Sequence, residues 1–221
     1  MQNDNIDDIL GAAKEGQLDR LKGIIEGNPG AAGARAESGE TPLMAALYRG
    51  HLECVEALVD GGAPLDIFAA AALGRLEALE TALAASPSAV HSFAYDGWTP
   101  LHLAAFFGRR DATARLLNAG ADLGVISRNA LRNTPLHAGI AGGHVDVSLL
   151  LIERGADVKI ADAGGHAPLH IAAEGGYLPV AKALLERGAD PHAVDAEDRT
   201  PLSRAAARGH TEIVDLINVK A

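Results

Sequence analysis

Leu101, Ala104 and Ala105 fall on one face of a helix that opens at Pro100, and matching apolar faces return along the chain about every 33 residues. Thr-Pro-Leu begins this pattern at Thr41, Thr99, Thr134 and Thr200, with Ala167-Pro168-Leu169 as a variant. A glycine stands nine residues after each start, at Gly50, Gly108, Gly143, Gly176 and Gly209. Threonine suits a helix N-cap, proline suits the first turn, and glycine suits the C-terminal stop, so each stretch predicts a short helix. A second helix follows, such as Val145 to Arg154, and ends near Gly120-Ala121-Asp122, Gly155-Ala156-Asp157 or Gly188-Ala189-Asp190. One such helix pair cannot bury its apolar face alone, so the pairs must stack.

The run Thr-Pro-Leu-His with Ala-Ala, then Gly-His, then Gly-Ala-Asp resembles the ankyrin repeat over nearly the whole chain. The resemblance implies an all-α repeat solenoid: helix-turn-helix pairs joined by β-hairpin fingers, with an inner helix lining a concave groove. Asp7 to Gly16 fits an N-terminal capping repeat, and Leu65 to Gly74 fits a third repeat that lacks its threonine and proline. About seven repeats result, in a single domain spanning 1–221: 5–38, 39–64, 65–96, 97–131, 132–164, 165–197 and 198–221. In the last, Ser203 replaces the usual histidine, as a C-terminal cap with no successor predicts. Repeat starts lie 34, 24, 34, 35, 33 and 33 residues apart, so the second interval is about ten short. That shortfall predicts a missing finger, with Gly61-Gly62-Ala63-Pro64 turning directly from one helix into the next.

Composition sharpens this picture. Aromatics make up only 4% of the 221 residues, while alanine and glycine abound, which suits thin layers of closely approaching helices. The net charge of −10 argues against nucleic acid and anionic membranes, whose affinity comes from Lys and Arg. Residues 1–64 carry −6 and residues 134–221 carry −4, leaving the middle near neutral. An acidic N-terminus, no membrane-length apolar run and a lone Cys54 point to a cytoplasmic monomer, with specialised secretion left open.

The nine histidines invite a chemical reading, and three occupy equivalent places: His102, His137 and His170. The family resemblance implies that these are structural, bonding around the threonine and toward the next repeat. His51, His144 and His210 belong to the turn between helices. His166 and His170 have the i, i+4 spacing of a metal pair, but Pro168 puts His166 on a finger, so no metal site is expected. Cys54 stands where other repeats have an aliphatic residue and reads as a small buried apolar group. No phosphate loop, nucleophile elbow or His-Glu-x-x-His pair occurs. No cofactor and no enzymatic activity are expected.

Partner binding in this family implies finger tips and the last two inner-helix positions before the glycine. Those positions are Tyr48 and Arg49, Ala72 and Leu73, Phe106 and Phe107, Ala141 and Gly142, Glu174 and Gly175, Ala207 and Arg208. Phe106 and Phe107 point about 140° and 240° away from Leu101, off the packed face. Five of the eight aromatics (Phe93, Tyr95, Trp98, Phe106 and Phe107) lie within fifteen residues. The expected site for a protein or peptide is therefore Tyr48, Arg49, Tyr95, Asp96, Trp98, Phe106 and Phe107. A spacer without a groove ligand and, less favoured, a hydrolase stand as alternatives.

Overall fold

A computed structural model describes residues 2–220, with side chains from Ile6 onward. Fourteen α-helices form seven pairs among the described residues: α1 (Gln2–Glu15) with α2 (Leu18–Gly27), α3 (Pro42–Tyr48) with α4 (Leu52–Asp60), and α5 (Ile67–Leu73) with α6 (Leu76–Ala85). Then follow α7 (Pro100–Phe106) with α8 (Arg110–Asn118), α9 (Pro135–Ala141) with α10 (Val145–Glu153), α11 (Pro168–Gly175) with α12 (Leu178–Glu186), and α13 (Pro201–Ala207) with α14 (Thr211–Lys220). The all-α repeat architecture matches the expectation.

Two compact units are present: Met1–Ala69 with Ala94–Asp96, and Ala70–Phe93 with Gly97–Ala221. In the first, α1 packs on α3 and α2 on α4. In the second, α7, α9, α11 and α13 stack as an inner row, and α8, α10, α12 and α14 as an outer row. Leu101, Ala104 and Ala105 are wholly buried in that stack, as their shared face requires.

The threonine motif builds each helix start. Thr41 Oγ1 accepts from Met44 N at 3.3 Å, and Thr99, Thr134 and Thr200 cap α7, α9 and α13 in the same way. The third repeat, which lacks the threonine and proline, starts with a different cap. Asp66 is its cap, with Oδ1 accepting from Phe68 N at 3.1 Å and Ala69 N at 2.9 Å. Only six residues, 61–66, connect α4 to α5, whereas fourteen, 187–200, connect α12 to α13. Where Gly-Ala-Asp is missing after α2 and α6, short 3₁₀ turns opened by prolines take its place, Pro29–Gly33 and Pro87–His91.

The fingers depart from the expected β-hairpins, since no strand occurs among the described residues. The fingers at 162–166 and 195–199 are tight turns, each closed by one backbone bond and by an aspartate side chain. Asp162 Oδ1 accepts from Gly164 N at 2.8 Å and His166 N at 2.9 Å, and Asp195 Oδ1 does the same for Glu197 N and Arg199 N. A single bond then ties finger to finger, such as Ala196 N to Gly164 O at 3.0 Å, too few for a ladder.

Histidines join successive repeats. His102 Nε2 lies 3.0 Å from Asn133 O, and His137 Nε2 lies 3.0 Å from His166 O. Carbonyls only accept, so Nε2 carries the proton and Nδ1 is left to accept from the threonine ahead of it, at 2.8 Å for Thr99 Oγ1 and 2.7 Å for Thr134 Oγ1. His170 repeats this between Ala167 N and the Ala193 and Arg199 carbonyls. The turn residues reach backward instead: His51 Nε2 to Lys14 O at 3.1 Å and His210 Nε2 to Glu174 O at 3.1 Å.

Burial pushes the His137 and His170 imidazoles below their ordinary value of 6.5, although the carbonyls facing Nε2 pull the other way. A base with a lowered folded pKa is protonated more readily when unfolded. Its stabilisation is present in full above pH 6.5 and declines as the pH falls below it. The denaturation midpoint in urea is therefore expected to be flat from pH 8 to about 6.5 and to fall from there toward pH 5, before most carboxylates titrate. A midpoint that rises on acidification over this window would contradict the neutral histidine assignment.

Candidate functional site

The seven residues expected at the site divide between the two compact units, and each set has its own chemistry. In the first unit, α3 ends with Tyr48 and Arg49. Tyr48 donates its hydroxyl to Asp96 Oδ2, which anchors the finger residue to the inner helix. Burial and then the bonded carboxylate push the Tyr48 phenol far up, so it stays a neutral donor. Tyr95 packs its Cβ against Gly39, where a side chain at position 39 would collide, and still leaves 38% of its surface exposed. Burial and the nearby Glu40 and Asp96 also raise its phenol. Arg49 is exposed beside this set.

In the second unit, three aromatics form one stack. The Trp98 and Phe106 rings meet edge to face at 5.0 Å, and Phe106 meets Phe107 edge to face at 5.1 Å. Trp98 also lies parallel to the His102 ring at 6.0 Å. Only 7% of Trp98 is exposed. Phe106 and Phe107 are half-buried at the end of α7. Phe93 is separate from this stack, with the Arg128 guanidinium 3.8 Å over its ring.

The sequence did not single out a third feature at the end of the inner row. Arg204 is 8% exposed and donates Nε to Asp195 Oδ2 at 2.7 Å, while Nη1 pairs with Glu174. Arg208 donates to the other Glu174 oxygen at 2.7 Å. Arg199 Nε lies 3.3 Å from Asp195 Oδ2, and its Nη2 is 2.7 Å from Glu197. Burial of Asp195 would raise its pKa, but the Arg199 amide and the Arg204 side chain outweigh this and hold the carboxyl well below the usual range. Glu174 is lowered chiefly by Arg208. Glu174, Arg199, Ser203, Arg204, Ala207 and Arg208 line a pocket of about 280 Å3. Of its lining, Glu174, Ala207 and Arg208 fall on the inner-helix positions that the family resemblance implies, whereas Arg199 and Asp195 carried no sequence signal.

Metal chemistry finds no scaffold among the described residues, where no group of three His, Cys, Asp or Glu is disposed to hold an ion. His166 bonds Asp162 through Nδ1 at 3.1 Å, and His170 is committed to its carbonyls. Cys54 is buried, and burial raises its thiol, so it is a core residue. No described helix is long and apolar enough to cross a membrane.

Comparison with known proteins accords with this architecture. Family models for ankyrin repeats match residues 9–126, 67–162 and 169–217. Similar proteins include a probable E3 ubiquitin-protein ligase of Oryza sativa subsp. japonica, 37% identical over 99 residues, covering 44% of this chain and 22% of that protein. An ankyrin repeat and SAM domain-containing protein of Mus musculus is 32% identical over 122 residues, 55% of this chain and 11% of that protein. An ankyrin repeat-containing protein of Schizosaccharomyces pombe is 35% identical over 63 residues, 28% of this chain and 30% of its own length. The chain thus spans less than a third of each of these relatives.

Proposed function

The chain belongs to the ankyrin-repeat family, and from that premise we propose that it is a non-catalytic module that binds a protein or peptide on its inner-helix and finger surface. The centre of binding is the aromatic fourth repeat. What supports this reading is the Trp98, Phe106 and Phe107 stack: a buried indole packs on Phe106, which packs on Phe107, and both phenylalanines keep part of their surface exposed at the end of α7. Rigid aromatics bury much apolar area at small entropic cost, which is the property of interface anchors. In the first unit, Arg49 and the exposed part of Tyr95 supply polar and aromatic contacts, with Tyr48 and Asp96 holding the finger in place.

Selection of peptides from a random display library on the immobilised protein tests this. The expected outcome is enrichment of sequences with apolar anchors, whose affinity falls about tenfold or more for Phe107→Asp, the loss of one hot-spot contact. Unaltered affinity in a variant with an unchanged melting curve would refute the aromatic centre.

A further inference from the structure

We propose that the long finger 127–133 reads an acidic stretch of the bound partner, taking one apolar side chain of that stretch on Leu131 and its carboxylates on Arg128 and Arg132. This names the partner chemistry of the binding-module reading and rests on it.

The finger differs from its neighbours in length. Ser127 N donates to Asn133 O at 2.9 Å, whereas the same closing bond runs from Asp162 to His166 and from Asp195 to Arg199, so the tip here is two residues longer. Its shape is set before any partner arrives. Asn129 Oδ1 accepts from Ser127 Oγ and from Leu131 N, both at 3.0 Å, and Arg132 N donates to Asn129 O at 3.2 Å. On the flanks, Arg128 N donates to Gly97 O and Ala163 N to Leu131 O, each at 2.9 Å. The bond to Gly97 puts the finger beside the residue that precedes Trp98. A loop held in this way loses little freedom when a ligand docks on it.

Charge sets the ligand class. The other fingers all carry carboxylates: Glu37 and Glu40, Asp96, Asp162, and Asp195 with Glu197 and Asp198. This one carries none, and both of its arginines are exposed. Neither pairs with a carboxylate among the described residues. Arg128 instead rests its guanidinium 3.8 Å over the Phe93 ring, which holds the charge without neutralising it. Asp122 ahead of the finger and Asp162 on the next one are engaged with backbone amides. Two uncompensated guanidiniums in a protein of net charge −10 select for carboxylates, and the acids of the other fingers turn the same stretch away from them. A nucleic acid meets the net charge of the whole protein, whereas a short acidic stretch responds to charges within about 8 Å, the screening length at physiological salt. Exposed ion pairs alone contribute little. Leu131 stands between the arginines with 52% of its surface exposed, and covering that surface adds the apolar contact that makes the complex hold.

Backbone geometry offers a clean variant. Arg132 has a φ of 48°, in the region that favours glycine, and Gly165 holds the equivalent place in the next finger with a φ of 77°. Arg132→Gly removes the charge while suiting the backbone, so the melting temperature is expected not to fall.

The test is an NMR titration of nitrogen-15-labelled protein with a capped pentapeptide, leucine flanked on each side by two glutamates. Amide shifts are expected at 127–133, and the double variant Arg128→Gln, Arg132→Gly is expected to lose about tenfold or more in affinity, the effect of removing charge-assisted bonds. The double variant Lys182→Gln, Arg187→Gln removes the same charge from exposed positions at α12 and is expected to keep the affinity. The proposal fails if the shifts lie elsewhere or if the finger variant binds equally. It fails too if a peptide with glutamine for glutamate or serine for leucine binds as tightly, or if a thymidine decanucleotide binds more tightly. Among the display-selected peptides, acidic residues are expected beside the apolar anchor, and the finger variant is expected to weaken their binding. If that variant has no effect while Phe107→Asp weakens them, the finger fails and the aromatic centre stands; the reverse result leaves the finger standing and the aromatic centre refuted.

Discussion

His137→Ala is expected to destabilise the second compact unit by about 3 kcal/mol, because it orphans groups in two repeats at once. The imidazole is 1% exposed and satisfies Thr134 N and Oγ1 on one side and His166 O on the other. Alanine satisfies none of these, and Thr134 is too buried for water to substitute. Ser203→Ala is the internal comparison. Ser203 occupies the same place in the last repeat but bonds only to Thr200 and is exposed, so its loss is expected to cost under about 1 kcal/mol. Urea unfolding of both variants measures the difference. Equal losses would mean that the histidine acts only as a cap.

Gly142→Ala should cost about 2–3 kcal/mol through overpacking, despite an ordinary backbone. Its φ of −72° suits any residue. The obstacle is space: an added Cβ would overlap the Phe106 carbonyl oxygen and approach His144 Cδ2 at 2.8 Å. Because α7 and α9 meet there, relief requires moving the end of α7 that carries Phe106 and Phe107. Affinity for Phe107-dependent peptides is expected to fall alongside stability. Gly120→Ala provides the contrast, since nothing lies within 4 Å of its Cβ and only its φ of 91° is strained, at about 1 kcal/mol. Thermal melts that place Gly142→Ala no lower than Gly120→Ala would remove the close-approach argument.

Most of this fold was legible because its rules are local and repeated. Thr-Pro, the glycine stop and Gly-Ala-Asp each solve a backbone problem inside one repeat; Asp122, Asp157 and Asp190 each accept from the amide two residues on at 2.8 Å. The short second interval was readable by counting and appears as the six-residue connection 61–66. The Asp66 cap was not, since aspartate is common on surfaces and the absent threonine drew attention to Leu65. Fingers looked like strands by family habit, yet Asp162 and Asp195 satisfy their turns from within, and the single bonds between fingers make no ladder.

The site was legible in part. Clustering of aromatics pointed to the fourth repeat, but burial cannot be read from residue type, and only 7% of Trp98 is exposed. Glu174, Ala207 and Arg208 stood at implied binding positions, but their assembly into an arginine pocket was not legible because its partners are distant in sequence. Glu174 and Arg204 are thirty apart, and Asp195 reaches them only through the turn of a finger.

The histidine connectors bear on how such a chain grows. Each of His102, His137 and His170 donates to a main-chain carbonyl of the following finger, and a carbonyl is the same whatever side chain it carries. A duplicated segment of about 33 residues therefore brings its own donor and offers its own acceptor, needing no matched mutation in its neighbours. Heredity can lengthen the row by copying alone. The aromatic stack and the arginine pocket, built from side chains particular to one place, are what copying would dilute and selection must keep.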